Sequence, residues 1–197
     1  MSDSNTSANR HSEYSVNSLI LNRWSPRAMS GETLSDEELM PLFEAARWAP
    51  SSYNNQPWRF IYAKRDSEYW DRLFGLMVEF NQSWAKNAAV LVVIVSKKTF
   101  DFNGQPSVTH SFDAGAAWEN LAIEAEVRGL VTHGMEGFDY DKACKSLEIP
   151  GDYNVEAMIA IGKKGQKEAL PQGLQEKEAP SDRKPLKDIV MEGKFRA

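Results

Sequence analysis

The chain has 197 residues, the length of one domain, and 42% of them are hydrophobic, which is enough to form a core. It carries 23 Lys and Arg residues against 28 Asp and Glu residues. The resulting net charge of −5 does not favour nucleic acid or an anionic membrane as a partner. Its one cysteine, Cys144, cannot form an internal disulfide, so we expect a reducing, cytoplasmic setting.

The ends of the chain and its longest apolar run give further expectations. Residues 88–95 form that run, which is far shorter than the roughly 20 residues of a membrane-spanning helix. Residues 1–12 lack the apolar centre of a secretory signal. Because the first residues are small and polar, we expect a disordered leader over residues 1–14 and a single domain over residues 15–197.

The first predicted elements are helical. The apolar segment 16–21 should end before Pro26, because proline disfavours helical geometry in the residue that precedes it. Ser35 and Glu38 form the pattern of a capping box, and apolar residues then follow at the spacing of one helix face. Pro41 lies past the first turn, so we expect it to kink this helix or to delay its start.

Strands and helices alternate in the middle of the chain. Residues 90–95 are apolar and mostly β-branched, which predicts a central strand buried on both faces. Residues 111–128 give the strongest helical spacing, and Gly129 is a natural end for that helix. The other predicted elements are strands over residues 58–63 and 155–161, helices over residues 67–80 and 140–147, and a loop over residues 99–109.

The last part of the chain has a different composition. From about residue 163 it is charged and contains Pro171, Pro180 and Pro185. This predicts a C-terminal extension that is extended or wraps another surface, without belonging to the core. The mixture of helices and strands before it predicts an α+β or α/β domain of three layers.

The sequence lacks the motifs of common catalytic sites. It contains no Walker A, nucleophile-elbow, His-Glu-x-x-His or Gly-x-Gly-x-x-Gly pattern. We expect His110, His133 and Cys144 to be turn or packing residues. If the chain is an enzyme, a cofactor would carry its chemistry.

Three polar or glycine-containing stretches are candidates for a binding site. Arg23, Ser25 and Arg27 offer two guanidiniums and a hydroxyl that suit a phosphate, although a solvated basic turn has the same pattern. Residues 50–58 place hydrogen-bonding side chains between two prolines, as in a loop that binds a polar ring edge or in a turn that satisfies itself. Residues 134–138 contain two glycines, which allow close approach to a flat ligand or form an ordinary turn.

In this order and at these separations, the three stretches resemble the nitroreductase family of FMN-dependent oxidoreductases. The uninterrupted loop over residues 50–58 is the most specific part, and the resemblance covers residues 18–190. The matching positions are Arg23, Ser25, Arg27, Pro50, Ser51, Ser52, Asn54, Gln56, Pro57, Trp58, Asn81, Glu136, Gly137, Phe138 and Arg183.

The resemblance implies a fold, an assembly and an activity. The fold would be an α+β three-layer domain with a mixed, mainly antiparallel sheet, and the C-terminal extension would wrap the partner subunit of a homodimer. FMN would lie at the dimer interface and carry the chemistry, with no catalytic side chain and no metal. NADH or NADPH would donate electrons, and a small-molecule acceptor such as a nitroaromatic, a quinone or an enal would receive them in a ping-pong cycle.

The resemblance also implies roles for individual residues. Four side chains would hold the FMN phosphate and ring edge, and Asn81 would lie on the pyrimidine side. Trp84 departs from the family pattern, since classical members have a flavin-contacting lysine there. The phosphate and ring-edge set is Arg23, Ser25, Arg27 and Arg183; the partner-derived loop is Pro50, Ser51, Ser52 and Asn54; the residues over the isoalloxazine are Met135, Glu136 and Gly137; and Trp24 would touch the flavin edge.

Other functions fit the same residues. The fold could support reductive dehalogenation or flavin fragmentation instead of electron transfer to these acceptors. A flavin-binding or storage protein without turnover is an alternative from another class, and a flavin-free interaction domain is a third. The residues do not identify the acceptor or distinguish NADH from NADPH.

Overall fold

The computed structural model describes residues 10–196 and shows one four-stranded sheet in the order β1-β2-β4-β3. All three pairings between neighbouring strands are antiparallel. Helices cover both faces of the sheet, which confirms the predicted α+β fold of three layers. The strands are β1 Trp58–Lys64, β2 Val90–Lys97, β3 Leu130–Met135 and β4 Tyr153–Lys163.

The described helices vary from four to eighteen residues in length. Single 3₁₀ turns occur at Ser52–Asn54, Lys167–Ala169 and Leu186–Asp188. No helix of the described part of the chain is both long enough and apolar enough to cross a membrane. The helices are α1 Ser18–Asn22, α2 Asp36–Arg47, α3 Trp70–Phe74, α4 Glu79–Ala85, α5 His110–Val127, α6 Tyr140–Ser146 and α7 Gln172–Gln175.

Strand β2 separates two hydrophobic clusters, as its sequence predicts. Because side chains alternate across a strand, Val90 and Val92 face the cluster formed with α2 and α5. Leu91 and Val93 face the opposite cluster, which contains residues of α3, α4 and α6. The central strand is therefore buried on both faces, and the sheet holds the two helical layers apart.

Helix α2 begins where the capping box predicts. The Ser35 hydroxyl accepts a hydrogen bond from the backbone N–H of Glu38, and the Glu38 carboxylate accepts one from the N–H of Ser35. The helix contains Pro41 without a delayed start, so that part of the prediction is wrong. The two reciprocal hydrogen bonds stabilise the first turn before the proline is reached.

The predicted helix over residues 67–80 is wrong, because the structure has α3 and α4 with a break between them. At the break, the N–H of Val78 donates to the carbonyl of Gly137, and Met77 forms an isolated β-bridge with Phe138. These tertiary hydrogen bonds replace the helical ones that the apolar spacing predicts. The break lets α4 start again with Asn81 on its first turns, beside Gly137.

Sequence reasoning missed strand β3 and assigned its end to a turn. The strand pairs with β4, with Gly134 opposite Ile159 and Met135 opposite Met158. It lies at one edge of the sheet. Its sequence, Leu-Val-Thr-His-Gly-Met, does not alternate apolar and polar residues, so it gives a weak strand signal.

The C-terminal extension, from residue 163 onward, crosses the molecule with little regular structure. Contrary to the prediction, part of it belongs to the core: Leu170 and Leu174 are 6% and 5% exposed and join the cluster around α3, α4 and α6. Residues beyond Leu174 then run back towards Arg27 and Arg10. The extension is thus attached to its own subunit before it reaches the candidate site.

Candidate functional site

A cavity of about 340 Å³ lies between the segment that follows α1 and the C-terminal extension. We call it the cationic cavity. It brings together five of the predicted site residues, Arg23, Trp24, Ser25, Arg27 and Arg183, from positions up to 160 residues apart. Its described lining is Arg10, Arg23, Trp24, Ser25, Arg27, His133, Lys177, Ala179, Ser181 and Arg183.

The charge of this cavity is strongly positive. Five of its lining residues are arginine or lysine, and the Glu119 carboxylate lies 3.8 Å from Arg23 Nε at one side. Burial lowers the pKa of the Arg10 guanidinium, and the nearby charges of Arg183 and Arg23 lower it further. Mutual repulsion of this kind is relieved by a bound anion, and guanidiniums pair well with phosphate.

The Arg27 segment is held by a carboxylate from the C-terminal extension. Glu178 Oε1 accepts hydrogen bonds from the backbone N–H groups of Arg27 at 2.7 Å and Ala28 at 2.8 Å. In contrast, Arg27 Nε is buried without a hydrogen-bond partner among the described residues. A buried guanidinium donor without an acceptor fits a site built for an anionic group such as the FMN phosphate.

His133 contributes a neutral wall to the same cavity. Its Nδ1 lies 3.2 Å from the Pro26 carbonyl, and its ring packs 4.7 Å from that of Trp84. Burial, followed by the positive charge of Arg27, lowers the pKa of the imidazole. His133 is thus a packing residue, as predicted, although sequence reasoning did not place it at the site.

Trp84 is part of the core and does not line the cationic cavity. Its side chain is 1% exposed, and its indole N–H donates to Asn81 Oδ1 at 3.3 Å. The Asn81 amide nitrogen in turn donates to the Gly137 carbonyl at 3.0 Å. Trp84 therefore fixes which way the Asn81 amide points, and Asn81 holds the segment that contains Gly137.

The segment predicted to lie over the flavin ring follows β3 directly. Met135 is 5% exposed and packs in the core, so its side chain offers a ligand little surface. Glu136 is exposed, and Gly134 is exposed beside the Trp118 ring. Gly134 and Glu136 are therefore the exposed residues at the end of β3, where a flat ligand could approach.

Close packing at Gly137 gives a testable expectation. A Cβ atom there would lie 2.7 Å from Asn81 Nδ2 and 3.2 Å from a methyl carbon of Val78. Gly137→Ala should therefore displace the Asn81 amide and lower the unfolding free energy by about 1–3 kcal/mol, or roughly 2–12 °C in Tm. Thermal unfolding measures this, with Gly134→Ala as control because its Cβ would make ordinary contact with Trp118 at 3.5 Å. Equal melting temperatures for the two variants would contradict the packing argument.

The loop over residues 50–58 has a defined and strained backbone. Tyr53, Asn54 and Gln56 have positive φ values of 51°, 53° and 49°, each of which costs on the order of 1 kcal/mol outside glycine. Two hydrogen bonds hold the turn: Ser51 Oγ accepts from the N–H of Gln56, and the buried Asp113 carboxylate accepts from the N–H of Ser52 at 3.1 Å. Such strain is common where a loop presents groups to a ligand.

This loop is separate from the cationic cavity of the same chain. Pro50, Ser51, Ser52 and Asn54 are not among the described residues that line that cavity. In this loop, the Tyr53 ring packs against the rings of Phe100 and Phe102, which belong to the loop that follows β2. The structure therefore divides the predicted site residues of one chain among three groups. They are the residues of the cationic cavity, this loop, and Asn81 with residues 135–137, which do not line the cavity either.

Two residues that line the cavity and one that lies beside it were missed by sequence reasoning. Arg10 and Lys177 lie in segments whose composition indicates disorder or an extended strap, and no motif surrounds them. Glu178 is one of many acidic residues in the extension, and only its contact with Arg27 and Ala28 distinguishes it. Nothing in the local pattern marks these three residues, because their roles depend on how distant segments meet.

Comparison with known proteins identifies the relatives of this chain. The nitroreductase family model matches residues 20–80 and 66–163. A crystal structure described as an oxidoreductase containing FMN is 48% identical, with a TM-score of 0.92 over 100% of this chain and 99% of that one. A putative nitroreductase from Desulfovibrio desulfuricans in complex with FMN is 26% identical, with a TM-score of 0.71 over 91% and 96%. A putative NADH dehydrogenase/NAD(P)H nitroreductase from Archaeoglobus fulgidus is 28% identical over 73% of this chain and 82% of its own length.

Proposed function

The chain belongs to the nitroreductase family and is an FMN-dependent oxidoreductase, and we propose that its cationic cavity holds the FMN phosphate. One observation carries this proposal. Arg23, Arg27 and Arg183 converge on one cavity, and Arg27 Nε is buried there without a partner among the described residues. Guanidinium groups bind phosphate oxygens through paired, charge-assisted hydrogen bonds.

The remaining site residues would orient the ring system. Ser25 and Trp24 line the cavity next to the arginines, and Gly134 and Glu136 are exposed at the end of β3. Trp84 fixes the orientation of the Asn81 amide, and Asn81 holds the segment that contains Gly137. Asn81 would lie on the pyrimidine side of the ring. Glu178 keeps the Arg27 backbone in place, so the guanidinium of Arg27 can point to the phosphate.

We infer that turnover is ping-pong. When bound, FMN supplies hydride acceptance from NADH or NADPH and reduction of an electron-poor acceptor such as a nitroaromatic, a quinone or an enal. The chain supplies binding, orientation and a positively charged environment, and no side chain has to exchange a proton if water reaches the acceptor. The electron donor and the electron acceptor would bind in turn to the same exposed face of the flavin, so one must leave before the other binds.

We further propose that the enzyme works as a cytoplasmic homodimer in which the loop over residues 50–58 completes the partner's site. The loop is preorganised but lies outside the cationic cavity of its own chain. Large apolar side chains near it are exposed, as expected of a surface that pairs with a second copy. They are Tyr53, Phe102, Val108 and Phe112, at 81%, 64%, 91% and 79% exposure.

The visible spectrum and the kinetics of the purified protein test this function. The protein should be yellow and release FMN, not FAD, on denaturation, since it lacks a glycine-rich loop for a pyrophosphate. It should oxidise NADH or NADPH when a quinone or nitroaromatic is added, with parallel lines in double-reciprocal plots. Release of FAD alone, or a protein that cannot be reconstituted with FMN, would contradict the cofactor assignment. Bound FMN without NAD(P)H oxidation would favour a flavin-binding protein.

A further inference from the structure

The leader predicted over residues 1–14 is anchored where the structure describes it. Residues 1–9 lie outside the described part, and residues 10–14 have no regular secondary structure. Even so, Arg10 reaches two separate segments of the candidate site. Its Nη1 donates to the carbonyls of Leu21 and, at 2.7 Å, Arg23, while its Nε donates to the carbonyl of Ser181 at 3.2 Å.

Two further contacts join the same segments on either side of Arg183. The backbone N–H and Nδ1 of His11 lie 3.3 and 3.2 Å from the two carboxylate oxygens of Asp182. The Glu13 carboxylate accepts a hydrogen bond from the N–H of Leu186 at 2.9 Å. We call residues 10–13 together with residues 181–186 the clasp. Exposed contacts of this kind are weak one by one, but they tie the two chain segments around Arg183 together.

Arg10 also stands at a junction between two cavities. It lines the cationic cavity and a neighbouring one of about 350 Å³, and both are also lined by Arg23 and Arg183. The described hydrogen bonds of Arg10 use Nε and Nη1, and none runs from Nη2 to a described residue. Three guanidiniums from three distant segments thus meet at the place where the phosphate is proposed to bind.

We propose that Arg10 is a ligand of the cofactor phosphate, delivered by the N-terminal segment, and that the clasp closes this segment over the bound phosphate. The inference rests on the proposed function, because it assigns one more residue to the same anion. It differs from that function in giving the N-terminal segment a role in binding. Arg10 would hold the Arg23 and Ser181 carbonyls with Nε and Nη1 and would donate from Nη2 to the phosphate.

Comparing FMN with riboflavin isolates the phosphate contact, because the two ligands differ by that group. Dissociation constants would be measured by flavin fluorescence for the wild-type apoprotein, Arg10→Gln, Arg10→Lys and the control Arg72→Gln, which removes an exposed cation on α3. Arg10→Gln should weaken FMN binding about 10- to 150-fold, the usual range for a hydrogen bond to a charged group, and leave riboflavin binding unchanged. Arg10→Lys should fall between, and Arg72→Gln should match the wild type.

A second readout tests the clasp without a substitution. FMN, and not riboflavin, should slow cleavage by trypsin after Arg10. Mass spectrometry of the released N-terminal peptide measures the rate of this cleavage. Equal FMN affinity in Arg10→Gln and the wild type, or equal protection by the two flavins, would overturn this inference and leave the proposed function standing. A parallel loss of riboflavin affinity would also overturn it, since that result means damage to the fold. A wild-type protein that binds neither flavin would overturn both proposals.

Discussion

A chain truncated after Gly165 is expected to lose FMN and much of its stability together. The truncation removes Arg183 and Lys177 from the cationic cavity, and it removes Glu178, the acceptor for the N–H groups of Arg27 and Ala28. Each of these two hydrogen bonds to a carboxylate contributes about 1.5–3 kcal/mol. The loss of Leu170 and Leu174 from the core adds about 1.5–3 kcal/mol for each leucine. Domains have only about 5–15 kcal/mol of stability in total, so partial unfolding at room temperature is expected.

Two further variants distinguish the loss of FMN affinity from the loss of core packing. One is full-length, and the other is nearly so. Arg183→Ala keeps both leucines and Glu178, so it should lower FMN affinity with little change in Tm. A chain ending at Asp188 keeps the cavity but lacks Ile189, Val190 and Phe195, which are 59%, 65% and 83% exposed. If these side chains cover the partner subunit, this shorter truncation should stay yellow but dissociate at higher protein concentration than the wild type.

Flavin absorbance, thermal unfolding and sedimentation velocity give the three measurements. The wild type should sediment as a species of twice the chain mass at micromolar concentration. A chain truncated after Gly165 that stays dimeric and fully yellow would refute the role of the extension. It would also refute the proposed position of Arg183 at the phosphate.

Local signals explain which parts of the fold could be predicted. The capping box at Ser35 and Glu38 and the β-branched run in β2 depend on neighbours in sequence, and both predictions are confirmed. The break between α3 and α4 depends on Gly137 and Phe138, more than 50 residues away, and apolar spacing cannot report it. Strand β3 was missed for a similar reason, since its pairing with β4 outweighs its weak pattern.

The same distinction holds for the candidate site. Arg23, Ser25 and Arg27 are close in sequence, so one short segment displays most of the phosphate-binding pattern. Arg10, Lys177 and Glu178 act through segments that meet only in the folded chain. Arg10 lies in a leader rich in serine and asparagine, where no motif marks it. Composition predicts disorder there because it cannot represent a contact with residue 181.

Arg23→Ala is the second substitution with a large expected effect. The Arg23 guanidinium lines both cavities, and the Glu119 carboxylate lies 3.8 Å from its Nε. Removing it should weaken FMN binding by about 1.5–3 kcal/mol, which is about 10- to 150-fold in Kd. The backbone carbonyl that Arg10 contacts is retained in alanine, so the clasp and the fold should survive. A flavin titration with unchanged affinity would overturn the assignment of Arg23.

A mixed dimer turns this variant into a test of how the site is assembled. One subunit carries Arg23→Ala, and the other carries Ser52→Ala with Asn54→Gly. Glycine at position 54 removes the amide but keeps the positive φ of 53°, so the backbone of the loop is preserved. If each loop serves the partner's cofactor, one site combines both defects and the other has none. Titration with FMN should then give one site of wild-type affinity and one that is weakened more than in either parent variant.

The opposite arrangement predicts a different binding curve. If each loop served its own chain, both sites would carry a single defect, and no site of wild-type affinity would remain. The 50–58 loop is strained at three residues and hydrogen-bonded to Asp113, so its backbone is preorganised for a ligand. The loop does not line the cationic cavity of its own chain, which favours the shared arrangement. The number of wild-type sites per mixed dimer, one or none, therefore distinguishes the two assemblies directly.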